Sequence, residues 1–181
     1  MVVEPTQLSK THEENTELKR LKLLDQLDEL LINSSGIKDF AHILKKCEEF
    51  FHYKRCVFYA YIPWSNQFYG TIGLELPKVQ SMRGQLSLKQ SFVFNSKKPV
   101  FLKNPNHYIK KEHITLFNLS SVIFVPIVHD QQVFGWLTFD QLGEEFDYSK
   151  DELTLLEQVG KRLGLYLSRK DDEVSIDTDL Q

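Results

Sequence analysis

Cysteine is scarce in this chain. Only Cys47 and Cys56 occur among 181 residues, too few for a disulfide framework, and their spacing is not a CxxC pair. Two reduced thiols in a cytosolic protein are expected. No run approaches the roughly 18 apolar residues of a membrane span. The first residues, MVVEPTQLSKTHEEN, lack a basic start followed by an apolar stretch. Neither a span nor a signal peptide is expected, and the protein should be cytoplasmic. Strong net charge is missing too. A formal −3 argues neither for direct nucleic-acid binding nor for a membrane surface. There is no P-loop, no GxGxxG and no Gly-x-Ser-x-Gly. The six histidines form no HxxxH or HExxH pattern and have no partnering cysteine pair, so no metal site is expected. Repeats and low-complexity segments are absent. No catalytic residue and no cofactor is expected.

Core material is present in quantity. The apolar fraction is 41%, with thirteen Phe and seven Tyr, enough for one globular domain with extensions. Charge is unevenly placed. From Pro77 to Leu119 there are eight Lys or Arg against Glu112 alone; from Ser120 onward there are thirteen acids and five bases.

The stretch Ser120–Gln141 reads as a β-hairpin, two runs rich in Val, Ile, Phe and Trp around the polar turn HDQQ. Upstream, residues 1–12 read as a flexible lead. Residues 13–35 form a signalling or dimerisation helix, with Leu24, Leu27 and Leu31 on one stripe and Asn33-Ser34-Ser35-Gly36 ending it. A second helix is expected over Lys38–His52. Arg55–Ile62 and Gln67–Ile72 alternate as strands about the turn Pro63-Trp64-Ser65-Asn66. Pro77–Gln90 admits a short helix and a short strand. A helical turn over Ser91–Ser96, a strand at Pro99–Leu102 and a helix over Tyr108–Asn118 follow. The last helix is expected over Ser149–Arg169, opened by the capping box Ser149-x-x-Glu152. Residues 171–181 read as an acidic disordered tail. Strands grouped into an antiparallel sheet, with terminal helices on one face, make an α+β architecture.

Several motifs in register carry a resemblance. Ser121-Val122-Ile123-Phe124-Val125-Pro126-Ile127 is similar to a Ser-x-Leu-x-Val-Pro-Leu strand, and Val133-Phe134-Gly135-Trp136-Leu137 to an Ile-Gly-Val-Leu strand. Lys97-Lys98-Pro99-Val100 is similar to a Gly-Lys-Pro-Val turn, and Phe146 with the Leu-rich run from Leu153 to a closing Phe and last helix. Together they resemble the GAF domain family over residues 36–170. More narrowly, Lys54-Arg55-Cys56 with Pro63-x-Ser65-Asn66 resembles the N-terminal GAF modules of bacterial LuxR-type transcription regulators. No helix-turn-helix follows here, so a sensor piece of a longer regulator or a stand-alone relative is expected.

The resemblance implies a six-stranded antiparallel sheet, with terminal helices on one face and a ligand pocket with short helices and loops on the other. Strand parity then assigns faces. Gly135, small enough for a helix to approach, is expected on the helix side with Leu137 and Phe139. Tyr59, Tyr61, Phe124 and Trp136 should wall the pocket, with Thr138 as a polar point and His113 from the basic segment. The basic residues Lys78, Arg83, Lys89, Lys97, Lys98, Lys103, Lys110 and Lys111 could attract an anion; a solvated basic loop is the plainer reading. A closed second core without ligand is the alternative for the whole pocket. Asp140-Gln141 stands where cyclic-nucleotide-binding members carry Asn-Lys, and no cysteine after Cys56 could attach a bilin. Cys47 and Cys56 look structural, which weakens a third reading, a GAF-type methionine sulfoxide reductase.

GAF modules often pair through their end helices. By that likeness Leu18, Leu21, Leu24, Leu156, Leu163 and Leu167 are candidates for a homodimer seam, with Leu18 and Leu21 most clearly surplus to the domain's own core. The expected function is a signal-sensing module that binds a small ligand, anionic if the basic wall takes part. It would relay that binding to an effector such as a transcription-regulating domain. A ligand-free dimerisation module is the alternative.

Overall fold

Two apolar runs make the centre of the sheet, and the rest of the chain is arranged about them. The computed structural model describes residues 5–34 and 39–179, with side chains described for 11–34, 39–91 and 94–170. In chain order come α1 (Pro5–Ile32), α2 (Phe40–Phe51), β1 (Arg55–Ile62), β2 (Gln67–Ile72), α3 (Leu76–Ser81) and β3 (Arg83–Gln85). Then follow α4 (Leu88–Phe94), β4 (Val100–Leu102), α5 (Lys111–Phe117), β5 (Val122–His129), β6 (Gln132–Asp140) and α6 (Lys150–Asp179). The strands form one six-stranded antiparallel sheet in the order β3-β2-β1-β6-β5-β4. The central hairpin turns at Asp130 and Gln131, both with positive φ (46° and 66°), the backbone that a two-residue hairpin loop needs to match strand twist.

Both ends of the chain differ from expectation. The helix expected from Glu13 begins at Pro5, within the segment read as a flexible lead. Proline suits the first helical turn, where its missing N–H is no loss, and no Gly or Pro occurs from Thr6 to Ile32. The tail read as disordered over 171–181 is helical to Asp179. No Gly or Pro follows Gly164 to stop it. Residues 1–4, 180–181 and the Ser35–Gly36 stop lie outside the described residues.

Helices α1, α2 and α6 cover one face of the sheet. Their core holds Leu24, Leu27, Phe40, Ile43, Cys47, Leu156 and Leu163 against Cys56, Phe58, Ile123, Val125, Leu137 and Phe139. Alternation in β1, β5 and β6 therefore falls as expected, but the role given to Gly135 does not. A Cβ on Gly135 would lie 2.1 Å from the Tyr59 carbonyl oxygen, in the backbone of β1. Beside it Phe134 is the extra residue of a β-bulge, since Ile127 pairs with Gly135 and Val128 with Val133. The glycines that admit a helix are Gly160 and Gly164 on α6. A Cβ there would lie 2.2 Å from the carbonyl oxygens of Pro126 and Val128 respectively.

The start of α6 is capped on one side only. The Glu152 N–H donates to Ser149 Oγ at 3.1 Å, but the Glu152 carboxylate accepts from Tyr53 Oη at the end of α2 instead. That bond, with Phe146 packed edge-on against Tyr53 and Phe101, fastens α6 to the sheet. Arg162 donates to Asp28 at 3.0 Å and joins α6 to α1. Half-exposed pairs of this kind contribute about 0–1 kcal/mol each, so apolar packing holds the helices.

Candidate functional site

The opposite face of the sheet carries the site. In the β1–β6 ladder, Arg55 lies opposite Asp140, Val57 opposite Thr138 and Tyr59 opposite Trp136. Two-residue spacing turns all six side chains to the face away from α1, α2 and α6. Phe124 on β5, opposite Thr138, extends this wall. α4 and α5 close over it with Phe94, His113 and Phe117, and Met82, Leu86 and Ile109 fill the margins. The result is a partly enclosed, mainly apolar cavity of about 60 Å³. Pockets for drug-sized ligands run to about 300–1,000 Å³, so this cavity has room only for something much smaller.

At the floor of the cavity lies a buried ion pair. Arg55 Nε–H donates to Asp140 Oδ2 at 2.8 Å and Nη2–H to Oδ1 at 2.8 Å. Nη2 also donates to the Phe117 carbonyl at 2.5 Å, and the guanidinium lies over the Phe117 ring. Asp140 Oδ1 accepts the Leu142 N–H at 2.9 Å as well. Both side chains are 3% exposed. Burial pushes the Asp140 carboxyl up, opposed by its bonds to Arg55 and Leu142. Removing one partner of such a pair costs about 3–5 kcal/mol, because the other is left charged and dry. Burial also pushes the Tyr59 phenol up. His113 is pushed down by burial first and by Lys110 second.

The lid is tied to the wall at defined points. Trp136 Nε1–H donates to the Phe94 carbonyl at 2.9 Å, and Phe94 stacks on Phe124 at 4.5 Å between ring centroids. Gln90 on α4 donates to the Tyr108 carbonyl at 2.6 Å, ahead of α5. Asn66, in the left-handed conformation at φ 53°, accepts from Tyr61 Oη at 2.8 Å and donates to the Leu86 carbonyl at 2.9 Å.

Of the residues expected in the pocket, Tyr59, Phe124, Trp136, Thr138 and His113 line the cavity. Tyr61 does not. Its ring packs on Trp136 at 4.9 Å and its hydroxyl is spent on Asn66, so it buttresses the wall from outside. The eight basic residues stay out of the cavity lining; Lys78 pairs with Glu75 and Lys97 donates to Gln131. The cation in the cavity is Arg55, which the sequence marks through the Lys54-Arg55-Cys56 likeness but not as a pocket residue. The missing signal was the β1–β6 pairing, which sets that Arg opposite Asp140 across 85 residues.

The dimer-seam candidates divide. Leu24, Leu156 and Leu163 are buried in the chain's own core and have no free surface to offer. Leu167 packs at the edge of that core. Leu18 and Leu21 are exposed, at 65% and 52%. Among the described residues no group of three or more His, Cys, Asp or Glu could hold a metal ion, and no helix is long and apolar enough to cross a membrane.

The family model of the GAF domain matches residues 38–167. Solved structures share the fold at low identity. The GAF domain of a phosphoenolpyruvate-protein phosphotransferase from Acinetobacter superposes with a TM-score of 0.70 at 15% identity, covering 87% of this chain and 98% of that one. The GAF domain of a putative sensor histidine kinase from Pseudomonas syringae pv. tomato gives 0.70 at 14% identity, covering 94% and 99%. The phycoerythrobilin-bound GAF domain of a cyanobacterial phytochrome gives 0.69 at 13%, covering 85% and 97%. No curated protein matches the sequence.

Proposed function

The chain belongs to the GAF domain family, and on that premise we propose that it is a cytoplasmic signal-sensing module that binds a small ligand between the sheet and α4–α5. The observation that carries this reading is the cavity itself, an aromatic and aliphatic lining interrupted by a few convergent polar groups. The strands that wall it pack with their other face on α2 and α6, through Cys56, Phe58, Leu137 and Phe139. A ligand that favours one placement of α4 and α5 therefore shifts the same strands against the terminal helices, and a population shift reaches an effector through α1 and α6. The resemblance of Lys54-Arg55-Cys56 and its following turn to LuxR-type regulators makes a transcription-regulating domain the effector of choice. The likeness to GAF domains of a putative sensor histidine kinase and of a cyanobacterial phytochrome supports the signal-sensing role without bearing on the effector.

The test is a thermal-shift screen of the full chain against short carboxylates, inorganic anions, amino acids and nucleotides. A ligand at a hundred times its dissociation constant adds about 2.7 kcal/mol of stability. The expected hit is small, and Ile109→Trp, which narrows the cavity from its rim, abolishes it. A hit that survives Ile109→Trp places the ligand elsewhere.

The cavity's small volume and the exposure of Leu18 and Leu21 favour a second reading, a ligand-free GAF module used for homodimerisation. No hit across the screen, from a chain that is a stable dimer in solution, selects it.

A further inference from the structure

Arg55 has five N–H donors, and its hydrogen bonds use only those on Nε and Nη2. Nη1 has no partner among the described residues, yet it is not sealed off as a buried orphan atom. Arg55 is one of the residues that line the cavity. Two further donors share this state. The Thr138 hydroxyl, on a residue 4% exposed, and the Tyr59 hydroxyl make no hydrogen bond among the described residues, and both residues line the same cavity. Arg55 and Tyr59 stand four residues apart on the same face of β1, with Thr138 opposite Val57 between them. None of the three is a buried orphan, so water reaches each of them, and three donors without protein partners on the lining of one mainly apolar cavity suit an acceptor that displaces that water.

From these groups we infer that the cavity takes a small planar monoanion, a short-chain monocarboxylate, with its carboxylate on Arg55 Nη1, Thr138 Oγ1 and Tyr59 Oη. The inference rests on the sensor reading and names its ligand class. Size and chemistry set the limits. At roughly 10–15 Å³ per water-sized probe, 60 Å³ holds about four to six such groups, the size of acetate or propionate. All three free groups donate, which suits a ligand that only accepts. Past them the lining is Phe94, Phe124 and Trp136, which favours a carboxylate with a methyl or ethyl tail over a fully polar oxyanion. The limit on affinity per non-hydrogen atom keeps a four-atom ligand no tighter than about tens of micromolar. A micromolar-to-millimolar sensor is the expected behaviour.

The titratable and charged groups facing the ligand are Arg55 and Tyr59 from β1, Asp140 from β6 and His113 from α5; α4, β5 and β3 contribute none to the lining. Asp140 already offsets the charge of Arg55, so a bound anion leaves the cavity short of one positive charge. A proton on His113, held below its ordinary 6.5 by burial and Lys110, or on Asp140, raised above 3.8 by burial, restores the balance, and binding should tighten as pH falls below about 6.5.

The experiment is calorimetric titration of the full chain with acetate, propionate, nitrate and neutral acetamide at fixed ionic strength. Thr138→Val and Tyr59→Phe are used because each removes a hydroxyl with little change of shape; an Arg55 variant would strand Asp140. Unliganded melting temperatures confirm that both variants fold. Acetate or propionate should bind saturably and more tightly at low pH, acetamide should not bind, and each variant should weaken acetate about tenfold or more. Acetate binding unchanged in both variants, or independent of pH, would overturn the inference. So would nitrate binding with propionate excluded, since the ligand would then be an inorganic oxyanion. If these probes fail while another compound from the screen is lost in Ile109→Trp, the ligand class is wrong and the sensor reading stands. If nothing binds, both fall.

Discussion

Cys47 and Cys56 show how burial decides chemistry at a single residue. Both thiols lie in the core between sheet and helices, with no exposed surface. Burial pushes Cys47 up to about 12, with the neighbouring Glu48 charge adding to it, and burial raises Cys56 well above its ordinary value. The reactive species is the thiolate, and a raised folded-state value leaves almost none of it below about pH 9. In the native protein, neither cysteine should react with iodoacetamide at mildly alkaline pH, and both should react in denaturant. Mass spectrometry reads the outcome; rapid native labelling of either would revive a thiol-based enzyme. Arg55 and Asp140 make the contrasting case. They are equally buried, but each supplies the other's counter-charge, so both are placed at the site as ions. Both residues are plain in the sequence. Their partnership is not, because residue type does not reveal which strands lie side by side.

At the scale of elements, the packing of α6 on β5 depends on two glycines. Gly164 brings its helix so close that an added Cβ would meet the Val128 carbonyl oxygen at 2.2 Å and its carbon at 2.4 Å. Backbone cannot swing aside as a side chain does. Gly164→Ala should therefore destabilise the protein by about 1–3 kcal/mol through overpacking, more than the roughly 1 kcal/mol that alanine adds to helix propensity. Gly84→Ala on β3, where the nearest atom is 3.8 Å away, should change little. Chemical denaturation of the two variants checks this; a more stable Gly164→Ala would show that the helix is free to back off. The elements themselves were largely legible. Alternation marked β1 and β6, and the Leu stripes marked α1 and α6. The boundaries of α1 and α6 differ from expectation because the first residues carry little apolar pattern and the last are acidic, whereas the lack of Gly and Pro lets each helix run on.

For the whole molecule, the question is which leucines serve this chain and which are left for another. Leu156 is fully buried, and Leu156→Ala should cost about 2–5 kcal/mol whatever the oligomeric state. Leu18 and Leu21 project from the part of α1 that precedes its buried stripe. If a homodimer forms there, as proposed, replacing both by Glu should halve the mass seen by light scattering while leaving the melting temperature of dilute protein nearly unchanged. A dimer that persists in the double variant would place the interface elsewhere.

The sequence by itself determined the fold class and which way most strand residues face, because helix and strand periods are local properties of the chain. The family resemblance, taken with strand parity, placed Tyr59, Phe124, Trp136 and Thr138 on the pocket wall. Tertiary structure decided the rest. It set Arg55 against Asp140, moved Tyr61 behind Trp136, withdrew Leu24, Leu156 and Leu163 into the core, and gave the helix approach to Gly160 and Gly164. Each of these depends on contacts between residues far apart in the chain, and the pattern of neighbours along a strand or helix carries no record of them.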